Sequence, residues 1–65
     1  MNEYWLERAK DALAGIETDE DLLAYLLSWA AELAGTYNTD TGLRHARQLI
    51  ALINFVVGVY DGRKK

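Results

Sequence analysis

Leu49-Ile50-Ala51-Leu52-Ile53-Asn54-Phe55-Val56-Val57-Gly58-Val59-Tyr60 is the stretch on which the fold turns, because its apolar residues admit three readings. Its 12 residues would cover roughly 18 Å as a helix, well short of the roughly 20 residues that cross a bilayer. The run from Phe55 to Tyr60 has the β-branched and aromatic composition of a strand, but no second segment offers it a partner, and an unpaired strand is unstable in water. A helix remains. One stripe carries Leu43, Ala46, Leu49, Ile50, Ile53, Val57 and Tyr60, and a second carries Ala51, Leu52, Phe55 and Val59.

Working outward, residues 35–42 lack periodicity and are rich in turn formers, which marks a loop whose end, at Thr39, Asp40 or Thr41, caps this helix. Before the loop, Thr18 followed by Asp19, Glu20 and Asp21 reads as a helix start, with a hydroxyl cap and acids where the helix dipole is positive. The helix they begin has a broad apolar arc of Leu22, Leu23, Leu26, Leu27, Trp29, Ala30 and Leu33, with Ala24, Tyr25, Ser28, Ala31 and Glu32 opposite. Residues 3–14 form an amphipathic first helix with Trp5, Leu6, Ala9, Ala12 and Leu13 on one side and Glu3, Glu7 and Asp11 on the other. Ile16 and Glu17 link the two. Gly15, Gly35 and Gly62 each follow a periodic stretch, the place of a left-handed helix terminator. The expectation is an all-α three-helix bundle in a single domain over residues 1–65, with helices at about 3–14, 19–34 and 41–60.

At 65 residues such a domain is marginally stable, on the order of 5 kcal/mol or less. It has no cysteine, so neither disulfides nor thiolate metal sites can support it. The N-terminal residues lack the basic and apolar regions of a secretory signal, which makes a cytoplasmic location the expectation.

Catalytic chemistry lacks residues. His45 and Ser28 are the only histidine and serine, so a hydrolytic triad would have to be built from that one pair. His45, between Arg44 and Ala46, reads as a solvated surface side chain. Laying Tyr37 to Gly42 on a calcium loop puts Tyr37 and Thr39 at ligand positions and Gln48 where a bidentate Glu belongs, so the comparison fails. No glycine pattern cradles a phosphate. The chain is expected to be neither an enzyme nor a metal or cofactor protein.

Charge is the more informative feature. Residues 1–40 carry nine acids against Arg8 and Lys10, a net of −7, whereas residues 41–65 carry Asp61 against Arg44, Arg47, Arg63, Lys64 and Lys65, a net of +4, giving the overall −3. Glu3, Glu7 and Asp11 repeat at i, i+4 and i+8, a like-charge stripe that works slightly against its own helix. Together with Glu17, Asp19, Glu20 and Asp21 they form the candidate partner-binding set, suited to a basic protein or nucleoprotein complex. Imitation of nucleic acid requires both groups on one side, because the stripe alone offers one charge per roughly 6 Å against about 1.7 Å in duplex DNA. Ala51, Leu52, Phe55 and Val59 extend beyond the one stripe a bundle helix conceals, so either the third helix is central or these residues are a self-association surface, the favoured reading being a homodimer or a partner groove.

In size, acidity, helical content and lack of catalytic groups the chain resembles small phage-type inhibitors, anti-CRISPR proteins among them. The resemblance covers overall character, carries no motif, and implies an inhibitor that occupies a nucleic-acid-binding surface. Two alternatives stand beside it: a DNA-binding regulator presenting Arg44, His45, Arg47 and Gln48 from the start of the third helix, and a structural oligomerisation module.

Overall fold

A computed structural model describes residues 2–36 and 40–63. They form three helices, α1 (Glu3–Gly15), α2 (Asp19–Thr36) and α3 (Asp40–Arg63), arranged as an all-α three-helix bundle. The apolar run at residues 49–60 is helical throughout. Of the cap expected at Thr39, Asp40 or Thr41, Asp40 and Thr41 already lie within α3, while Thr39, the loop over Tyr37 to Asn38 and the final lysines fall outside what the structure describes.

Both early helix starts are chemically specified. The Asn2 side chain accepts a hydrogen bond from the Trp5 amide at 3.1 Å and begins α1. At α2 the Asp21 amide donates to Thr18 Oγ1 at 3.2 Å, while Asp21 Oδ2 accepts from the amides of Glu17 at 3.0 Å and Thr18 at 3.2 Å. This is a reciprocal capping box with Asp in place of the usual Glu.

The expected left-handed terminators are absent, since no described glycine has a positive φ. Gly15, Gly35 and Gly62 are all helical. Instead α1 ends because Ile16 is extended, at φ −98° and ψ 110°, and drives its side chain into the core, where only 2% of it stays exposed. Ile16 is thus a core residue and not merely a link.

The core comprises Trp5, Ala9, Ala12, Leu13 and Ile16 from the first segment, Trp29 from α2, and Leu49, Leu52, Val56 and Tyr60 from α3. α3 packs against both α1 and α2, which touch each other far less. The Tyr60 hydroxyl donates to Asp19 Oδ1 at 2.6 Å and Arg63 donates to the Leu13 carbonyl at 3.2 Å. These contacts join the start of α2 and the end of α1 to the end of α3, so the helices run up, down and up.

Candidate interaction surfaces

Glu3, Glu7 and Asp11 are all exposed on the side of α1 opposite its buried Trp5, Ala9 and Ala12. Of the two cations on this helix, Lys10 approaches Glu7 only at 3.9 Å, with both side chains more than half exposed, a contact worth little in water. Arg8 turns the other way. Its guanidinium donates to both carboxylate oxygens of Glu32 on α2, at 2.9 and 3.1 Å, and lies 5.0 Å from the Trp5 ring and 5.9 Å from that of Tyr4. Neither Arg44 nor Arg47 forms an ion pair with a described acid of α1 or α2.

The second acidic group does not extend this stripe. Asp21 is turned onto the backbone of Glu17 and Thr18, whose amides hold its carboxyl below the usual range. Asp19 is engaged by Tyr60. α1 lies along the edge of α2 that bears Tyr25, Ser28 and Glu32: a shallow recess of about 300 Å³ between them is lined by Arg8, Asp11, Ala12, Tyr25, Ser28 and Trp29. At 3.6 residues per turn, Asp19 and Glu20 project from the other edge. Asp21, one turn before Tyr25, is on the α1 edge but is engaged in the cap, and Asp19 and Glu20 turn away from the α1 stripe.

His45 is not the solvated surface residue expected. Its Nε2 lies 2.7 Å from Glu32 Oε2 and its ring stands edge-on to Trp5, centroids 5.0 Å apart. Hydrogen bonding by Arg8, followed by that of His45, holds the Glu32 carboxyl at about 2, against the opposing effect of burial. An ionised Glu32 only accepts, so His45 carries its proton on Nε2 and donates. Glu32, expected on the outer arc of α2, ties all three helices together. This removes His45 from the row of base-reading side chains and leaves exposed Arg44 and Arg47 with half-buried Gln48.

The expected self-association surface is corrected as well. Leu52 is fully buried and belongs to the core, and Val59 packs against it. Ala51 and Phe55 alone remain exposed. α3 is central, packing against both α1 and α2, which is the alternative to self-association that its excess apolar surface left open. Larger apolar exposure lies where the sequence placed core, at Leu23 (56%) and Leu27 (64%) on α2 and at Leu43 and Ile50 (47% each) on α3.

Among the described residues no group of three His, Asp or Glu side chains is placed to hold a metal ion, and no helix is long and apolar enough to cross a membrane. A recess of about 270 Å³ beside Asn2, Trp5, Arg44, His45 and Gln48 is shallow and open. No protein-family model, curated protein or solved structure matches the chain.

Proposed function

We propose that the chain is a non-enzymatic interaction protein that binds a basic surface of a partner through the outer face of α1, and that it inhibits the partner by occupying that surface. The observation that carries this reading is the inward turn of Arg8. By committing its cation to Glu32 and the Trp5 ring, the fold leaves Glu3, Glu7 and Asp11 facing solvent with, among the described residues, only the loosely placed Lys10 near them. A one-signed face of this kind steers association and selects for opposite charge. Asp21 serves to cap α2 and Asp19 is held by Tyr60, so the proposed contact centres on α1, and a protein surface suits it better than a site shaped for duplex DNA.

Affinity capture from the native host with immobilised wild type, compared with Glu3→Lys/Glu7→Lys/Asp11→Lys, tests it. The reading expects one or a few basic proteins retained at low salt by the wild type and lost with the variant. Retention of the same partner by both proteins contradicts it.

A further inference from the structure

The α2–α3 hairpin has two sides. α1 occupies one, lying against Tyr25 and Trp29 of α2 and His45 of α3. The other is uncovered. On α2 it presents Leu23, Leu27, Ala30 and Ala34, spaced i, i+4, i+7 and i+11, and on α3 it presents Leu43 and Ile50 at i and i+7. Leu26, Leu33 and Ile53 lie half-buried at its base. Four large aliphatic side chains left about half exposed or more on one face are more than a monomer of this size ordinarily shows to water.

The charges around this face indicate what covers it. The helical repeat that carries Leu23 and Leu27 places exposed Glu20 at the start of α2, and the repeat that carries Leu43 and Ile50 places Arg47 near the start of α3 and Asp61 near its end. Because the Tyr60–Asp19 hydrogen bond puts the start of α2 beside the end of α3, Glu20 and Asp61 share one end of the face. Arg47 lies at the other. An apolar centre with one anionic and one cationic end is complementary to itself when turned end for end.

We infer that a second copy of the chain covers this face, related by a two-fold axis that lies in the interface and runs across the helices. That axis sets α2 and α3 antiparallel to their counterparts and brings Arg47 of each copy to the Glu20 and Asp61 end of the other. The alternative axis, along the helices, places acid on acid and is disfavoured. α2 has 18 residues, so the face measures roughly 27 by 20 Å, and two copies together cover about 1,100 Å², just above the roughly 1,000 Å² that a specific interface needs. A reversible dimer is therefore expected, and α1, with its acidic stripe, stays outside it.

Sedimentation equilibrium across the micromolar range tests the arrangement. The wild type is expected to pass from 7.3 kDa towards twice that mass as concentration rises. Leu27→Lys and Ile50→Lys, both at exposed positions, are each expected to retain the helical circular dichroism spectrum and to weaken the dimer at least about tenfold. Arg47→Glu and Glu20→Arg/Asp61→Arg are each expected to weaken it, whereas Glu20→Arg/Arg47→Glu/Asp61→Arg in one chain restores it. A wild type that stays monomeric overturns the inference, as does a dimer indifferent to Leu27→Lys and Ile50→Lys. Reversal of either end without effect, or reversal of both ends that fails to restore association, overturns the antiparallel arrangement. Because none of these residues belongs to the α1 stripe, either surface can fail without the other.

Discussion

The Glu32 carboxylate grips the Arg8 guanidinium with both oxygens, across 24 positions of sequence, and the same carboxylate takes a hydrogen bond from His45. One α2 side chain thereby fixes α1 and α3 at the end of the bundle away from the Tyr60–Asp19 contact. Glu32→Ala is expected to lower the unfolding free energy by about 1–2 kcal/mol, because it strands Arg8 and His45 against Trp5 while solvent partly screens the loss. Urea titration measures this. An unchanged midpoint would show that the cluster contributes nothing.

The pH dependence of that contribution has a defined sign. Arg8 holds the Glu32 carboxyl at about 2 in the folded state against an ordinary 4.5, so the folded protein resists its protonation. The stabilisation is complete above pH 4.5 and is lost as pH falls towards 2. The stability difference between the wild type and Glu32→Gln should be constant from pH 5 to 6 and shrink steadily below 4.5. A difference that persists unchanged near pH 2 would contradict the assignment.

The fold was legible because its signals are local. The spacing of Trp5, Ala9 and Ala12, the Thr18 cap with its acids, and the absence of any strand partner for residues 55–60 each act within a few residues and need no knowledge of the neighbours. The sides of α2 and α3 were not legible in that way. α2 is apolar nearly all round, so periodicity alone could not choose between the Leu23–Leu27 edge and the Tyr25–Glu32 edge. Trp29, Leu22, Leu26 and Leu33 of the apolar arc do pack in or against the core, and the edge that meets α1 is marked by a contact 24 residues long in sequence, Arg8 with Glu32, which periodicity does not register. The same contact took His45 from the surface and Arg8 from the acidic stripe. A charged residue on a helix as apolar as α2 was the available signal.

The two sides of α3 separate in a stability measurement. Leu52 is fully buried, whereas Phe55 is 38% exposed. Leu52→Ala is expected to cost about 2–5 kcal/mol, enough to unfold much of so small a domain at 25 °C, and Phe55→Ala about 1 kcal/mol or less. Thermal melts under conditions that keep the chain monomeric distinguish them. Equal losses would place Leu52 outside the core.

Two glycines offer an opposite prediction. A Cβ at Gly58 meets nothing within 4 Å, and the residue is exposed inside α3. Gly58→Ala should stabilise by about 0.5–1 kcal/mol through helix propensity alone. At Gly15 a Cβ would lie 2.9 Å from the Tyr25 hydroxyl, so Gly15→Ala should gain less, and gain more when combined with Tyr25→Phe. Chemical denaturation of the three variants checks this. A destabilised Gly58→Ala would require a neighbour that the fold does not place there.

Position of charge, and not its total, is what the functional account depends on. Binding to the captured partner should be measured by titration for wild type, for Glu3→Gln/Glu7→Gln/Asp11→Asn, and for Ala24→Lys/Ala31→Lys/Ala51→Lys, whose exposed sites change the net charge equally from elsewhere on the surface. The account predicts that the first variant loses about tenfold or more in affinity while the second loses about threefold or less. Equal losses in the two variants would contradict it.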